Sequence, residues 1–153
     1  MENAVKNSLK EPGTRQPSKG YSGMENSISD LKNVQTLLKY TFGLIPIVAG
    51  LDKFTNLLVD WTTYLSPNLT QLIPFSPHTF MMLVGVIEII AGLIVLFKTE
   101  IGAPIVSAWL VLIAITLIIN GKYDIAVRDL AMAIGAFCLL RLTLLLQKNQ
   151  VQV

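Results

Sequence analysis

The chain has 153 residues, of which 52% are hydrophobic and only 14% are charged. Soluble domains average about a quarter charged residues, so this composition indicates an integral membrane protein. The net charge is only +2, and no basic run with interleaved aromatic residues occurs, so we predict no nucleic-acid binding.

The two ends of the chain are polar. Residues 1–33 are rich in Ser, Asn, Lys, Gly and Pro and contain no apolar stretch, which excludes a signal peptide. We predict that they form a disordered tail, because they have too little apolar surface to bury. Residues 147–153 are predicted to form a short polar tail.

The first predicted membrane span covers residues 34–58. Helical spacing places Gly43 and Gly50 on the same face as Lys53, while the neighbouring Asp52 points away from that face. A connection over residues 59–76 follows, and its Trp and Tyr residues suit the boundary between lipid and water.

The second predicted span, residues 77–97, carries a carboxylate near its middle. Gly85, Glu88 and Gly92 share one stripe of the helix with His78. Small residues let neighbouring helices approach closely in a membrane, so this stripe should face the interior of a bundle. A carboxylate at that depth is costly unless it is neutral, paired or hydrated.

The third predicted span, residues 101–120, carries no charge, and the fourth, residues 125–145, has Arg128 and Asp129 in its first turn. The polar turns between the second, third and fourth spans are short, which forces antiparallel neighbours. These stretches are too long and too continuous for strands. We therefore predict an all-α fold, an integral membrane, antiparallel four-helix bundle.

The distribution of basic residues predicts the orientation of the bundle. Five Lys or Arg residues precede the first span, and Lys98 and Lys148 lie on the same side of the membrane as that tail. Lys53, Lys122 and Arg128 lie on the other side. Because cytoplasmic segments carry an excess of Lys and Arg, we expect both termini in the cytoplasm.

An up-and-down bundle brings most of the polar residues of the spans to one end. We predict a polar pocket there, formed by Asp52, Lys53, His78, Glu88, Asn120, Arg128 and Asp129. The long side chains of Lys53 and Arg128 can reach towards Glu88, with Asp129 or Asp52 balancing the charge. The alternatives are a purely structural ion-pair network, and a protonated Glu88 with Lys53 and Arg128 extended to the membrane surface.

The residue types limit the chemistry of this pocket. The chain has one His and one cysteine, Cys138. Cys138 lies on a different helix from His78 and at a different depth, so we predict no metal site. No nucleophile and base stand at a catalytic spacing. The residues therefore leave open whether the protein is an enzyme.

In Phe42–Phe54 a glycine is followed a few residues later by Lys53, in Gly85–Gly92 a Gly-x-x-Glu precedes another glycine, and Tyr123–Leu130 leads into the fourth span. These three stretches resemble sequence signatures of the DoxX/DoxD-like family. The resemblance covers about residues 37–145. It implies a small four-span protein of a bacterial cytoplasmic (inner) membrane.

The best-known members of that family are subunits of a thiosulfate:quinone oxidoreductase, and many others have no assigned activity. Related four-helix membrane folds exchange thiols and disulfides through cysteine pairs, which this chain does not have. The resemblance favours an accessory subunit of a quinone-linked membrane redox system. Its candidate cofactor is a quinone, and its candidate partners are a redox protein or a larger membrane complex, besides the lipid bilayer. The alternatives are a permease or binding protein for a small solute, and a structural subunit of a membrane assembly.

Overall fold

The computed structural model describes residues 19–65, 74 and 76–151. Within these residues the chain forms four long α-helices, a short 3-10 helix and no strand: α1 (Lys19–Thr55), the 3-10 helix (Trp61–Tyr64), α2 (Pro77–Phe97), α3 (Thr99–Ile119) and α4 (Tyr123–Val151). All four α-helices are long and apolar enough to cross a membrane. The prediction of an all-α, four-helix membrane bundle is confirmed.

The helices form a closed ring of neighbours. α1 packs on α2, α2 on α3 and α3 on α4, and α4 returns to contact α1. The centre of the bundle is made largely of small and branched side chains: Phe42, Ala91, Val95, Ala103, Val106, Ala136 and Leu139. Small side chains allow the close van der Waals contact on which helix association in lipid depends.

Local signals in the sequence set several helix ends. The hydroxyl of Ser76 accepts a hydrogen bond from the backbone N–H of Thr79, and Pro77 occupies the first position of α2, where its missing N–H costs nothing. At the end of α3, Gly121 adopts a φ of 71° and Lys122 N–H donates to the carbonyl of Leu117. This is the hydrogen-bond pattern of a Schellman cap, and it turns the chain directly into α4.

α1 begins before its predicted span and α4 extends beyond its span at both ends, whereas α1 ends at Thr55, three residues before the predicted limit of residue 58. α1 begins at Lys19, so residues 19–33 are helical where the sequence predicted a disordered tail. α4 likewise continues to Val151, into the predicted tail of residues 147–153. Extending an existing helix adds one backbone hydrogen bond per residue without a new nucleation step, which explains why polar flanking residues continue it. The remainder of the two predicted tails, residues 1–18 and 152–153, lies outside the described residues.

The limits of the other helices lie close to the predicted spans. α2 covers the same residues as the second predicted span, and α3 covers residues 99–119 where 101–120 were expected. The connection between α1 and α2 contains the 3-10 helix of four residues. This short helix packs beside α2, at the end of the bundle where the predicted polar pocket lies.

Candidate functional site

Two glycine pairs bring α1 and α2 into backbone contact. A Cβ atom placed on Gly50 would lie 2.5 Å from the carbonyl oxygen of Gly85, and one placed on Gly85 would lie 2.6 Å from the carbonyl oxygen of Gly50. Seven residues away on each helix, a Cβ atom on Gly92 would clash with the carbonyl oxygen of Gly43, whereas one on Gly43 would first meet the side chain of Leu96 and would lie 3.4 Å from the carbonyl oxygen of Gly92. No larger residue fits at these crossings, so the glycines set the distance between the two helices.

The Gly50–Gly85 crossing also positions the charged residues of the site. Lys53 lies one turn after Gly50, and Glu88 lies one turn after Gly85, so in antiparallel helices their Cα atoms are about 9 Å apart along the axes. Because side chains lean towards the N-terminus of their helix, each of the two leans back to the level of the crossing. The two side chains therefore converge over the glycines.

Lys53 and Glu88 form a buried ion pair. Lys53 Nζ donates a hydrogen bond to Glu88 Oε2 at 2.6 Å. Only 4% of Lys53 and 7% of Glu88 is exposed. A single charge at this depth would carry a large desolvation cost, and direct pairing with a charge-assisted hydrogen bond offsets much of it.

Trp61 of the 3-10 helix covers the ion pair. Lys53 Nζ lies 3.7 Å from the centroid of the Trp61 ring, in a cation–π contact. The indole N–H of Trp61 donates to Asp52 Oδ2 at 2.7 Å. Asp52 Oδ1 in turn accepts the backbone N–H groups of Leu57 and Leu58, each at 3.0 Å. Asp52 thus orders the segment after α1 and fixes the indole over Lys53.

The 3-10 helix has its own N-terminal cap outside the membrane spans. The hydroxyl and the backbone N–H of Thr62 donate to Asp60 Oδ1 at 2.6 Å and 3.0 Å. These two hydrogen bonds lower the pKa of Asp60, because they stabilise its carboxylate. The cap therefore stabilises the 3-10 helix above the ordinary pKa of aspartate and is lost as the pH falls through the lowered value.

The charged residues of α4 divide between the site and the surface. Asp129 is buried and lies close enough to Lys53 and Glu88 to interact electrostatically with both. The side chain of Arg128 is 67% exposed, and its Nε lies 3.6 Å from Asp129 Oδ1. The expectation that Arg128 reaches Glu88 is therefore not met, since Lys53 already pairs with Glu88 and the long arginine side chain extends outwards.

Asn120 and His78 take different places from the ion pair. Asn120 Nδ2 donates to the carbonyl oxygen of Tyr64 at 3.2 Å, which ties the 3-10 helix to the end of α3. Asn120 thus supports the cover over the site and does not contact the charges. His78 is exposed in the first turn of α2, and no hydrogen bond or ion pair among the described residues joins it to the cluster.

Trp109 of α3 adds a polar group that the sequence-based prediction missed. Its indole N–H lies near the carboxyl group of Glu88, but the geometry between the two groups falls short of a hydrogen bond, and this buried N–H has no other partner among the described residues. A signal was present in the sequence. Tryptophan is enriched at the boundaries of a membrane, whereas Trp109 stands in the middle of an uncharged span.

Trp109 also lines a groove between α2 and α3. The groove has a volume of about 300 Å³ and is almost entirely apolar, and its other lining residues are Ile87, Ala91, Ile105, Ala108 and Leu112. Ile87, Ile105 and Leu112 are between 38% and 53% exposed on the outer surface of the bundle. The groove therefore opens sideways, towards the hydrocarbon of the bilayer.

Among the described residues, the site holds three buried carboxylates (Asp52, Glu88 and Asp129), the ammonium group of Lys53, and the unpartnered indole N–H of Trp109 beside an apolar groove. Within the described part of the chain, no group of three or more His, Cys, Asp or Glu residues is placed to hold a metal ion. Comparisons of the chain with family models, with curated proteins and with solved structures gave no match. The chemistry of these side chains is therefore the basis of the functional assignment.

Proposed function

We propose that this integral membrane protein binds a lipid-soluble quinone in the groove between α2 and α3, as an accessory component of a membrane redox system. The observation that carries the proposal is the buried indole N–H of Trp109, which makes no hydrogen bond among the described residues. A buried donor without a partner costs free energy, and a ligand that brings an acceptor removes that cost.

The position of the groove selects the class of ligand. Its lining is apolar and it opens among side chains that face lipid, so the ligand enters from the bilayer and carries an apolar body. The donor lies near the middle of α3, at a depth that the ester groups of phospholipids do not reach. A quinone satisfies both requirements, because a planar ring with carbonyl acceptors is attached to an apolar tail.

The neighbouring charges suit a ligand of this kind. The indole ring of Trp109 already lines the groove, and a rotation of this side chain directs its N–H to a carbonyl oxygen of the ligand. Glu88 lies close to the indole and is paired with Lys53. Quinones exchange protons when they exchange electrons, and Glu88 is a carboxyl group close to Trp109, which lines the groove.

The alternative of a small-solute permease requires a polar pocket that water can enter. Lys53, Glu88 and Asp129 are each no more than 7% exposed, and Trp61 covers the ammonium group of Lys53. These observations favour a ligand that arrives from the lipid over a polar solute that arrives from water. A purely structural subunit stays a hypothesis, and no particular feature of the described residues favours it.

Membership of the DoxX-like family, with a bacterial inner membrane and both termini in the cytoplasm, is also part of this proposal. It is supported by the way in which the two resembling motifs meet across α1 and α2, glycine against glycine and Lys53 against Glu88. The basic residues Lys32, Lys98 and Lys148 at the opposite end from Lys53 support the orientation.

The proposal is tested by quinone binding to the full chain in lipid nanodiscs. A benzoquinone with a short alkyl tail is titrated, and bound quinone is measured against nanodiscs without protein. Trp109→Phe keeps the ring and removes the N–H, so we expect about tenfold weaker binding, the equivalent of one hydrogen bond in a dry site. Ala108→Leu fills the groove and should abolish binding.

The matched control is Ala131→Leu, which makes the same change on an exposed face of α4 and should bind quinone like the wild type. Far-ultraviolet circular dichroism establishes that all variants keep their helices. The proposal is wrong if wild-type protein binds no more quinone than empty nanodiscs, or if Trp109→Phe and Ala108→Leu both bind it with wild-type affinity.

A further inference from the structure

A second cavity lies at the opposite end of the bundle from the ion pair. It has a volume of about 530 Å³ and lies between α1, the junction of α2 and α3, and the last turns of α4. We call it the lysine cleft and define it by Lys32, Gln35, Lys98, Glu100, Thr143 and Gln147. Lys98 links the last residue of α2 to the first residue of α3, so the cleft lies at the membrane boundary.

Side-chain hydrogen bonds define the walls of the lysine cleft. Gln35 Nε2 donates to Thr143 Oγ1 at 3.3 Å, which joins α1 to α4. Gln147 Nε2 donates to Glu100 Oε2 at 2.9 Å, which joins α4 to α3. Three of the four helices are therefore tied together around the cavity, and the polar groups keep their positions relative to one another.

The charges of the lysine cleft are not balanced. Lys32 and Lys98 are exposed along it, and neither has a carboxylate within 4 Å in the part of the chain that the structure describes. The one carboxylate in the cleft, Glu100, accepts its hydrogen bond from Gln147. Two ammonium groups thus face the cavity without a counter-ion, which favours an anionic ligand.

The rest of the lining indicates the source of that anion. Phe97 and Leu146 are the apolar members of the cleft, and Phe97 is 82% exposed at the end of α2. A ligand with a phosphate at the lysines and an acyl chain beside Phe97 contacts both parts of the lining, whereas a free phosphate contacts only one. Basic pockets between membrane helices are a common form of headgroup site.

We propose that the lysine cleft binds the phosphate group of an anionic phospholipid. Lys32 and Lys98 contact the phosphate from α1 and from the junction of α2 and α3, and the acyl chains pass over Phe97 into the bilayer. The site lies at the other end of the bundle from the groove at Trp109. Lipid binding in the lysine cleft therefore does not depend on quinone binding in the groove.

The experiment measures lipid retained by the full chain. Wild-type protein in nanodiscs with equal amounts of phosphatidylglycerol and phosphatidylcholine is released from them, and bound lipids are counted by native mass spectrometry. We expect a preference for phosphatidylglycerol that falls about tenfold in Lys32→Gln/Lys98→Gln. The control Lys39→Gln/Lys148→Gln removes the same charge from residues outside the cleft and should keep the preference within about twofold.

A second variant keeps the proposal testable if the double variant does not fold. Glu100→Gln removes the one negative charge of the cleft, retains an oxygen that can accept from Gln147, and should strengthen the preference for phosphatidylglycerol. The proposal is overturned if wild type and Lys32→Gln/Lys98→Gln retain the two lipids alike, or if Glu100→Gln leaves the preference unchanged. It is also overturned if inorganic phosphate alone stabilises wild-type protein against heat while phosphatidylglycerol does not.

Discussion

The charged residues at the two ends of the bundle differ in burial and in pairing. At one end, Lys53 and Glu88 are buried, paired at 2.6 Å and covered by Trp61. At the other end, Lys32 and Lys98 are exposed beside an open cleft. A charge can be satisfied by a partner in the same chain or by a partner from outside it. The closed end is therefore expected to carry much more of the folding stability than the open end.

The largest effect is expected from the removal of one partner of the buried ion pair. Glu88→Leu leaves Lys53 buried without a counter-ion, and we expect the free energy of unfolding to fall by about 3–5 kcal/mol. The double variant Lys53→Met/Glu88→Leu removes both charges and should recover most of that loss. Unfolding of the helices by denaturant in mixed micelles, followed by circular dichroism, measures both values.

Arg128→Gln is the matched control for this prediction. It breaks an ion pair near the same end, but one whose arginine is 67% exposed, so the free energy of unfolding should change by less than about 1 kcal/mol. If Glu88→Leu proves as mild as Arg128→Gln, the buried pair contributes nothing to stability and the comparison between the two ends fails.

A smaller effect is expected from separating α1 and α2 at their glycine crossing. In Gly50→Ala the new Cβ atom would lie 2.5 Å from the carbonyl oxygen of Gly85, so the backbones must move apart. We expect a loss of about 1–3 kcal/mol in the free energy of unfolding, measured in the same titration. Ala131→Leu, which enlarges an exposed residue, should leave stability nearly unchanged. Equal stability of both variants would mean that close packing at Gly50 is dispensable.

The smallest effect is expected at the open end. Gln147→Ala removes the 2.9 Å hydrogen bond to Glu100, but both groups are exposed and water can replace the lost partner. The free energy of unfolding should change by no more than about 0.5 kcal/mol. A loss above about 1 kcal/mol would contradict this expectation and would show that the hydrogen bonds around the lysine cleft contribute to folding stability.

The residues of α2 show which features of the structure the spacing of residues in the sequence can predict. The spacing of Gly85, Glu88 and Gly92 predicted a buried stripe, and these three residues are buried, whereas His78, on the same stripe in the first turn, is exposed. The spacing of Gly43, Gly50 and Lys53 predicted the matching stripe on α1, and these three residues are buried as well. Helical periodicity was sufficient in both cases, because every residue concerned lies on a single regular helix.

Helical spacing did not predict the contacts between separate helices or between a helix and a loop. Arg128 and Lys53 were equivalent candidates for pairing with Glu88, and only the position of the Gly50–Gly85 crossing selects Lys53. The role of Trp61 depends on the path of the connection after α1, which hydrogen bonds to Asp52 determine. Neither the crossing point of two helices nor the path of an irregular segment follows from periodicity.

By itself, the sequence determined that the chain contains four helices long and apolar enough to span a membrane, and which face of α1 and of α2 turns inwards. Both follow from local hydrophobicity and from the 3.6-residue period of the helix. Only the tertiary structure decided that Lys53 pairs with Glu88, that Trp109 presents an unpartnered N–H beside a groove, and that Lys32 and Lys98 share a cleft. Each of these depends on the relative placement of separate helices, which packing in three dimensions determines.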